Sequence, residues 1–318
     1  MRGTKRRNPR PDSSRGAIAG GAGPSGNDET QCGGGERSFS VTRRSAMWHK
    51  VLVMRLLIGL AVLSVTTAVL AETRRAVEAE ARRNGVRMVW VSDGVFMMGS
   101  PDGRAKNQPQ HEVYLNAFYV DQFEVTTAHY ARFLGTIGQG QPRLVPMLWE
   151  QVNLVQDGDR PVMGVAWEAA DAYCRWVGKR LPTEAEWEKA ARGLDGRRYP
   201  WGNNEPAFTL GNYGQSVSSH TYRDSLKPVG SYEGGKSPYG IYDMAGNASE
   251  WVADWYDEEY YAKSPKSNPQ GPVRGLEKVF RGGSFVSSSL AMKSVSRESN
   301  FPDDKGLHVG IRCAQDAF

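Results

Sequence analysis

Two serines and one histidine near the C-terminus are the residues whose types could do chemistry together. Ser284 and Ser287 lie close to each other, and His308 follows about twenty positions later. With a carboxylate from Asp303 or Asp304 they would form the set that a serine hydrolase uses. Neither serine sits in a nucleophile elbow of the form Gly-x-Ser-x-Gly, so the pattern gives hydrolysis little support.

The same stretch contains no cysteine. The run 286–292 contains no thiol, imidazole or carboxylate that could act as a nucleophile, a base or a strong metal ligand. The cysteines of the chain are Cys32, Cys174 and Cys313, and none lies between the last two. A catalytic interpretation therefore has few groups to work with.

The elements that must position these residues are short and irregular. Helical patterns cover residues 126–134, 167–177 and 183–192. The third opens with Thr183 and carries Glu186 three positions later, which predicts a capping box. Short β-prone runs separated by glycine, proline, asparagine and aspartate occupy the rest, as at 89–91, 95–98, 112–115 and 118–120. The sequence predicts an irregular, loop-rich α+β domain.

Four segments divide the chain. Residues 1–46 are rich in glycine, serine, arginine and proline, and we expect a disordered basic leader, or a stretch that is not translated if the start is Met47. Residues 47–71 contain a short apolar run that ends in small residues, which favours a signal peptide over an uncleaved membrane anchor. For residues 72–85 the sequence predicts a linker or short helix, and for residues 86–318 it predicts one domain.

Net charge excludes one class of partner. Residues 1–46 carry nine basic and four acidic side chains, and the rest of the chain carries 31 of each sign, so the overall charge of +5 comes from the leader alone. A chain without a basic field after residue 46 is not expected to bind nucleic acid.

Ordered motifs give the domain a family resemblance. They are Met98-Gly99-Ser100, Gln110-His111-Glu112-Val113, Phe123-Glu124-Val125-Thr126, Ala172-Tyr173-Cys174-Arg175-Trp176, Gly178-Lys179-Arg180-Leu181-Pro182-Thr183-Glu184-Ala185-Glu186-Trp187-Glu188, Tyr199-Pro200-Trp201-Gly202, Gly240-Ile241-Tyr242-Asp243-Met244-Ala245-Gly246-Asn247, Glu250-Trp251 and Arg281-Gly282-Gly283-Ser284-Phe285. The domain resembles the formylglycine-generating enzyme family, also called sulfatase-modifying factors. The resemblance implies a fold related to the C-type lectin-like folds.

The resemblance also implies structural calcium. The family's second calcium loop corresponds to Asp243 and Glu250, with backbone carbonyls from Gly246 and Ala248. The first site corresponds to side chains and carbonyls of Asn212, Tyr213, Asp224 and Leu226. Mixed carboxylate and carbonyl oxygens are the ligands that Ca²⁺ takes. Such ions would clamp loops rather than do chemistry.

A disulfide is a further implication of the resemblance. Cys174 and Cys313 match two positions that the family pairs, and the bridge would close a loop of about 140 residues. It agrees with an exported protein, periplasmic or extracellular, or membrane-anchored through 56–71 if the leader is not cleaved.

Copper chemistry is where the chain departs from the family. The family oxidises a sulfatase cysteine to formylglycine with Cu(I) held by two cysteines, and the corresponding positions here are Ser287 and Met292. A serine hydroxyl is a hard, weak donor, and one thioether does not replace two thiolates. We do not expect copper binding.

The sequence leaves three functions open. The first is an exported, calcium-stabilised domain that binds a protein or peptide client in the family's groove without oxidase activity. The second is an enzyme that modifies an exported protein by another route, with Ser284 and His308 as groove candidates. Formylglycine generation itself is the third and the least favoured.

Overall fold

The computed structural model describes residues 50, 52–67, 86–101, 104–137, 140–216 and 222–317. The chain divides into two compact units, Met1–Ser64 and Val65–Phe318. The predictions for 1–46, the segment that contains Cys32, and for 72–85 lie outside the described residues.

One helix, α1, covers residues 52–67, and its side chains are exposed. Across the described part of the chain, no helix combines the length and the apolar character that a membrane crossing needs.

Within the described residues, nine short strands form three small sheets. The strands are β1 Met88–Val91, β2 Gly94–Met98, β3 His111–Leu115, β4 Phe118–Asp121, β5 Ser249–Trp255, β6 Lys278–Arg281, β7 Arg297–Asn300, β8 Val309–Gly310 and β9 Ala314–Asp316. β4 lies between β1 and β9 in one antiparallel sheet, and β2 pairs with β3 as a hairpin. The third sheet has the order β7-β6-β5-β8, in which only the β5–β8 pair is parallel. The β-prone runs read from the sequence are thus confirmed as β1 to β4.

Six further α-helices lie in the part of the chain that the structure describes. They are α2 Thr127–Ile137, α3 Leu154–Asp157, α4 Trp167–Trp176, α5 Glu184–Arg192, α6 Tyr222–Ser225 and α7 Tyr260–Lys263. The capping box on α5 is confirmed: Thr183 Oγ1 accepts from the Glu186 amide at 3.2 Å, and the Glu186 carboxylate accepts from the Thr183 amide at 2.8 Å.

Helix α2 is longer than the sequence predicts. We expected it to stop before Gly135, but it continues to Ile137. Glycine costs only about 1 kcal/mol in a helix interior and blocks no hydrogen bond. Ile137 packs against the second core cluster, and that contact favours the extra turn.

Two apolar clusters form most of the core. The first surrounds α5, where Trp187 packs with Phe96 of β2 and Val113 of β3. The second surrounds the disulfide, where Tyr130 of α2 and Trp251 of β5 are fully buried.

Helix α5 is buried along its whole length, including its charged side chains. Arg281, at the end of β6, donates to Glu184 at 2.8 Å and to Glu188 at 2.6 Å. Arg297 donates to Glu184 at 2.7 Å, and Arg192 to Glu188 at 3.0 Å. Burial opposes ionisation of Glu188, but the charges of Arg281 and Arg192 outweigh it and hold its pKa below the ordinary value. These ion pairs tie α5 to β6 and β7.

The disulfide between Cys174 and Cys313 is present, with a sequence separation of 139 residues. We expect a Cys174→Ala, Cys313→Ala double variant to lose about 2 to 5 kcal/mol of unfolding free energy, because the unfolded chain regains the freedom of a long loop. Urea unfolding with and without reductant measures this loss. Reductant should destabilise the wild type and leave the double variant unchanged; an unresponsive wild type would contradict the prediction.

Asp254 is a buried residue of β5 whose carboxylate accepts from the Glu184 amide at 2.8 Å. Burial, and then the negative charge of Glu184, raise its pKa from 3.8 to about 8. The folded state therefore keeps a proton that the unfolded state releases, so unfolding free energy should fall as pH rises from about 4 to about 8. In Asp254→Asn this fall should be smaller by an amount on the order of a few kcal/mol.

Denaturant titrations across that pH range provide the measurement. The control is Asp257→Asn, because the hydrogen bond from Lys263 holds the pKa of Asp257 below its ordinary value. Its titration therefore lies below this window, and its pH slope should match the wild type. Equal slopes for the wild type and Asp254→Asn would show that Asp254 is ionised in the folded protein.

Candidate functional site

The turn after β6 passes beside Trp187 of α5 and leads into the segment that carries Ser284 and Ser287. Gly282 and Gly283 have φ values of 91° and 65°, a region that favours glycine. A Cβ on Gly283 would lie 2.5 Å from Cε of Met292, and one on Gly282 would lie 3.0 Å from the Trp187 ring. The two glycines therefore allow residues 284–292, here called the site segment, to fold back closely against the turn.

The two serines of the site segment contact each other. Ser287 Oγ accepts from the Ser284 amide at 2.9 Å and lies 3.2 Å from Ser284 Oγ. Ser284 is fully buried, and the Ser287 carbonyl accepts from the Gly214 amide at 2.8 Å. Both hydroxyls take part in holding the turn together.

Met292 is the last residue of the site segment, and its side chain packs in the core. It is fully buried and packs with Tyr199, Tyr213 and Ala245. Its thioether therefore fills an aromatic cluster. The two cysteines of the described chain, Cys174 and Cys313, are joined in the disulfide. No thiol is available beside the site segment in the part of the chain that the structure describes.

His308 is placed against an aromatic ring. Its imidazole meets Phe280 edge-on, with ring centroids 5.7 Å apart. Burial lowers the pKa of His308, and Asp304 opposes that shift. Among the described residues, the His308 ring makes no hydrogen bond to Ser284 or Ser287. The structure thus joins the two serines to each other and leaves the histidine outside that pair.

The first expected calcium loop contains an unpaired oxygen. Oδ1 of Asn212 is buried without a hydrogen-bond partner, while Nδ2 donates to the Ser225 carbonyl at 2.8 Å. Tyr213 and Leu226 are buried nearby in sequence, and the Asp224 side chain is exposed on α6. A buried amide oxygen that accepts no hydrogen bond can serve as a ligand for a hard cation such as Ca²⁺.

The second expected loop is rich in carboxylates. Asp243 has φ 59°, and its Oδ2 accepts from the Gly230 amide at 2.7 Å. Glu250 is fully buried and already engaged: Arg312 donates to both of its oxygens, at 2.7 to 3.0 Å, and Trp187 donates at 2.6 Å. The carbonyls of Gly246 and Ala248 belong to the same loop.

Glu124, which lies between β4 and α2, contacts this second loop, and sequence reasoning missed it. Its carboxylate accepts from the Ala248 amide at 2.8 Å and from Asn247 Nδ2 at 2.7 Å. In the sequence, Glu124 is distinguished only as an acidic residue between the apolar Phe123 and Val125 of the Phe-Glu-Val-Thr motif.

Three buried carboxylates therefore face Arg312 as their cationic neighbour. Burial and the charges of Asp243 and Glu250 raise the pKa of Glu124 well above its ordinary value. Burial likewise raises the pKa of Asp243 to about 6, against the Gly230 amide and Arg312. The described residues contain no cluster of three or more His, Cys, Asp or Glu side chains arranged to hold a metal ion.

A polar cavity of about 980 Å³ opens beside the site segment. Ser288, Leu290 and Ala291 of the site segment contribute to its wall. The cations that line it come from separate parts of the chain: Arg104, Lys106, Arg192, Arg198, Lys293 and Arg297. Glu298 is the acidic residue among the lining side chains. We call this cavity, with its six lining cations, the cationic cavity.

Sequence similarity agrees with the motifs. Residues 73–317 match the model of the sulfatase-modifying factor enzyme 1-like domain. The chain is 33% identical over 313 residues to a formylglycine-generating enzyme of Streptomyces coelicolor, covering 81% of this chain and 97% of that protein. It is 31% identical over 279 residues to the mouse inactive C-alpha-formylglycine-generating enzyme 2, covering 72% and 86%.

Other matches concern the extent of the domain and its fold. The chain spans 38% of the length of the Chlamydia caviae relative named serine/threonine-protein kinase pkn1. The structure of PvdO from Pseudomonas aeruginosa superposes with a TM-score of 0.59 at 25% identity, covering 72% of this chain and 94% of that one. These matches confirm an α+β, loop-rich fold related to the C-type lectin-like folds. The chain belongs to the formylglycine-generating enzyme, or sulfatase-modifying factor, family.

Proposed function

We propose that this protein is an exported, calcium-stabilised member of the family that binds a peptide segment of a protein client and has no copper oxidase activity. The observation that carries the proposal is the state of Ser287 and Met292, which replace the two copper-binding cysteines that the resemblance implies. Ser287 is hydrogen-bonded to Ser284, and Met292 is buried among aromatic rings. Neither can present a thiolate to Cu(I) or to a substrate thiol.

Client binding is supported by what the chain retains around that segment. The cationic cavity remains open beside residues 288–291, and the exposed side chains of Val286 and Leu290 lie on the same segment. A concave surface with a few convergent polar groups is the usual form of a binding site. A relative named as inactive supports the view that the family's scaffold exists without the oxidation step.

Calcium is proposed on the fit of the two loops. The unpaired Asn212 Oδ1 could ligate an ion together with the carbonyls of Tyr213 and Leu226 and the Asp224 carboxylate. In the second loop, Asp243 and the carbonyls of Gly246 and Ala248 could serve, whereas Glu250 is taken up by Arg312. A bound Ca²⁺ would supply positive charge and oxygen coordination that hold loops in place.

Export is proposed from the leader and the disulfide. The apolar run within 47–71 is typical of a signal peptide, and a buried disulfide persists in oxidising compartments.

The absence of copper chemistry can be tested by Cu(I) titration of the purified protein, followed by oxygen consumption with a cysteine peptide. We expect no tight binding and no turnover. A Ser287→Cys, Met292→Cys double variant is the positive control, since it supplies two thiolates in one segment and should gain Cu(I) affinity. Turnover by the unmodified protein would overturn this part of the proposal.

Calcium binding can be tested by thermal unfolding with calcium or with chelator. An ion that binds only the folded state at about one hundred times its Kd should stabilise by about 2.7 kcal/mol. The shift should be reduced in Asn212→Ala, because this variant removes a ligand of the first loop and leaves the second loop intact.

The matched control is Asn107→Ala, because Asn107 is also buried with an unpaired Oδ1 but lies outside the calcium loops. Its calcium response should equal that of the wild type. Equal responses in all three proteins, or none in the wild type, would contradict calcium at the first loop.

A further inference from the structure

We propose that the cationic cavity selects an acidic peptide segment, so that the client contacts it through aspartate or glutamate side chains. This inference rests on the proposed client-binding function and names the chemistry of the client.

The walls of the cavity come from three distant parts of the chain. One is the loop between β2 and β3, which includes Arg104 and Lys106; the second is the end of α5 and the loop after it, with Arg192 and Arg198; the third is 288–298. Only the tertiary fold concentrates these cations around one volume.

Two of the lining arginines, Arg192 and Arg297, are buried and held in place by hydrogen bonds. Arg192 is 4% exposed and donates to the carbonyls of Met97 and Gly99, at 3.2 and 2.8 Å. Arg297 is 1% exposed and donates to the carbonyl of Lys106 at 3.1 Å. Both side chains are held by several hydrogen bonds, so their positive charge stays in place whether or not a ligand is bound.

Two other arginines can change partners. Arg104 lies 3.8 Å from Glu298, and Arg198 lies 2.7 Å from Glu205. At least 46% of each of these four side chains is exposed. Exposed ion pairs contribute about 0 to 1 kcal/mol, so a ligand carboxylate could replace Glu298 or Glu205 at little cost.

Lys293 is the most available cation. It is half-buried on the cavity wall, and its ammonium group forms no salt bridge within the described residues. A carboxylate that enters the cavity would meet this charge without displacing another partner.

The charge balance favours an anion even after every direct partner is counted. The lining cations together with Arg281 number seven, and the carboxylates that pair with them, Glu184, Glu188, Glu205 and Glu298, number four. The difference is +3. A concave site with excess charge of one sign raises the local concentration of ligands of the opposite sign.

The size and rim of the cavity favour a peptide over a small inorganic anion. A volume of about 980 Å³ is at the upper end of ordinary ligand sites. The exposed Leu290 lines it beside polar groups such as Asn107 and Gln110. An extended acidic peptide can offer carboxylates, apolar side chains and backbone hydrogen bonds together.

The test uses the full-length protein and three fluorescein-labelled peptides of equal length. One alternates glutamate and leucine, the second alternates glutamine and leucine, and the third alternates lysine and leucine. Fluorescence anisotropy should show that the glutamate peptide binds most tightly and weakens as salt is added. Inorganic phosphate and sulfate are titrated directly into the protein by isothermal titration calorimetry.

Charge reversal locates the site. Lys293→Glu should weaken the glutamate peptide by on the order of tenfold, a loss of about 1.4 kcal/mol. Lys266→Glu is the matched control, because Lys266 is exposed and lies outside the cavity lining. The two substitutions change the net charge by the same amount. Lys293→Ala should give a smaller loss, and thermal unfolding midpoints check that each variant is folded.

The outcomes separate this inference from the function on which it rests. Equal binding of the glutamate and glutamine peptides, unaffected by Lys293→Glu, would overturn the acidic selectivity and leave client binding standing. No binding of any of the three peptides would count against both. Tight binding of phosphate or sulfate without peptide binding would identify a site for small oxyanions and overturn the peptide proposal.

Discussion

The rest of the domain depends on the buried ion pairs around α5. Glu184 and Glu188 are nearly inaccessible to solvent, and their charges are balanced by Arg281, Arg297 and Arg192. Removing one partner from such a cluster leaves an uncompensated buried charge, which typically costs about 3 to 5 kcal/mol. A domain built from short strands and little regular helix gains register from these directional contacts, since they fix where β6 and β7 meet α5.

The same cluster determines where the site segment lies. Arg281 is the last residue of β6, and the Gly282–Gly283 turn starts directly after it. The backbone is therefore anchored on one side by guanidinium–carboxylate contacts and on the other by the Ser284–Ser287 hydrogen bonds. The scaffold holds this segment in a defined shape although it carries no thiolate. Binding needs such a shape, whereas oxidation would need the missing sulfur ligands as well.

A polar hub supports the loops behind the site. Asn247, with φ 62°, donates to Glu124 at 2.7 Å, and its Oδ1 accepts from Asn212 at 3.2 Å and from the Lys227 amide at 3.1 Å. One side chain thus links both of the expected calcium loops to the segment before α2. Buried polar networks of this kind specify one arrangement of long loops because any other arrangement leaves donors or acceptors unpaired.

The sequence by itself determined the local features and the missing chemistry. The capping box on α5 and strands β1 to β4 follow from neighbouring residues, and the lack of a thiol at Ser287 and Met292 is a fact of composition. Tertiary structure alone decided which charges meet: the pairing of Glu250 with Arg312, the burial of Glu124 beside them and the gathering of cations at the cavity. The physical reason is the distance along the chain over which each interaction acts. Propensity and capping act over a few residues, whereas ion pairing and burial depend on partners that lie tens to hundreds of positions apart in the chain.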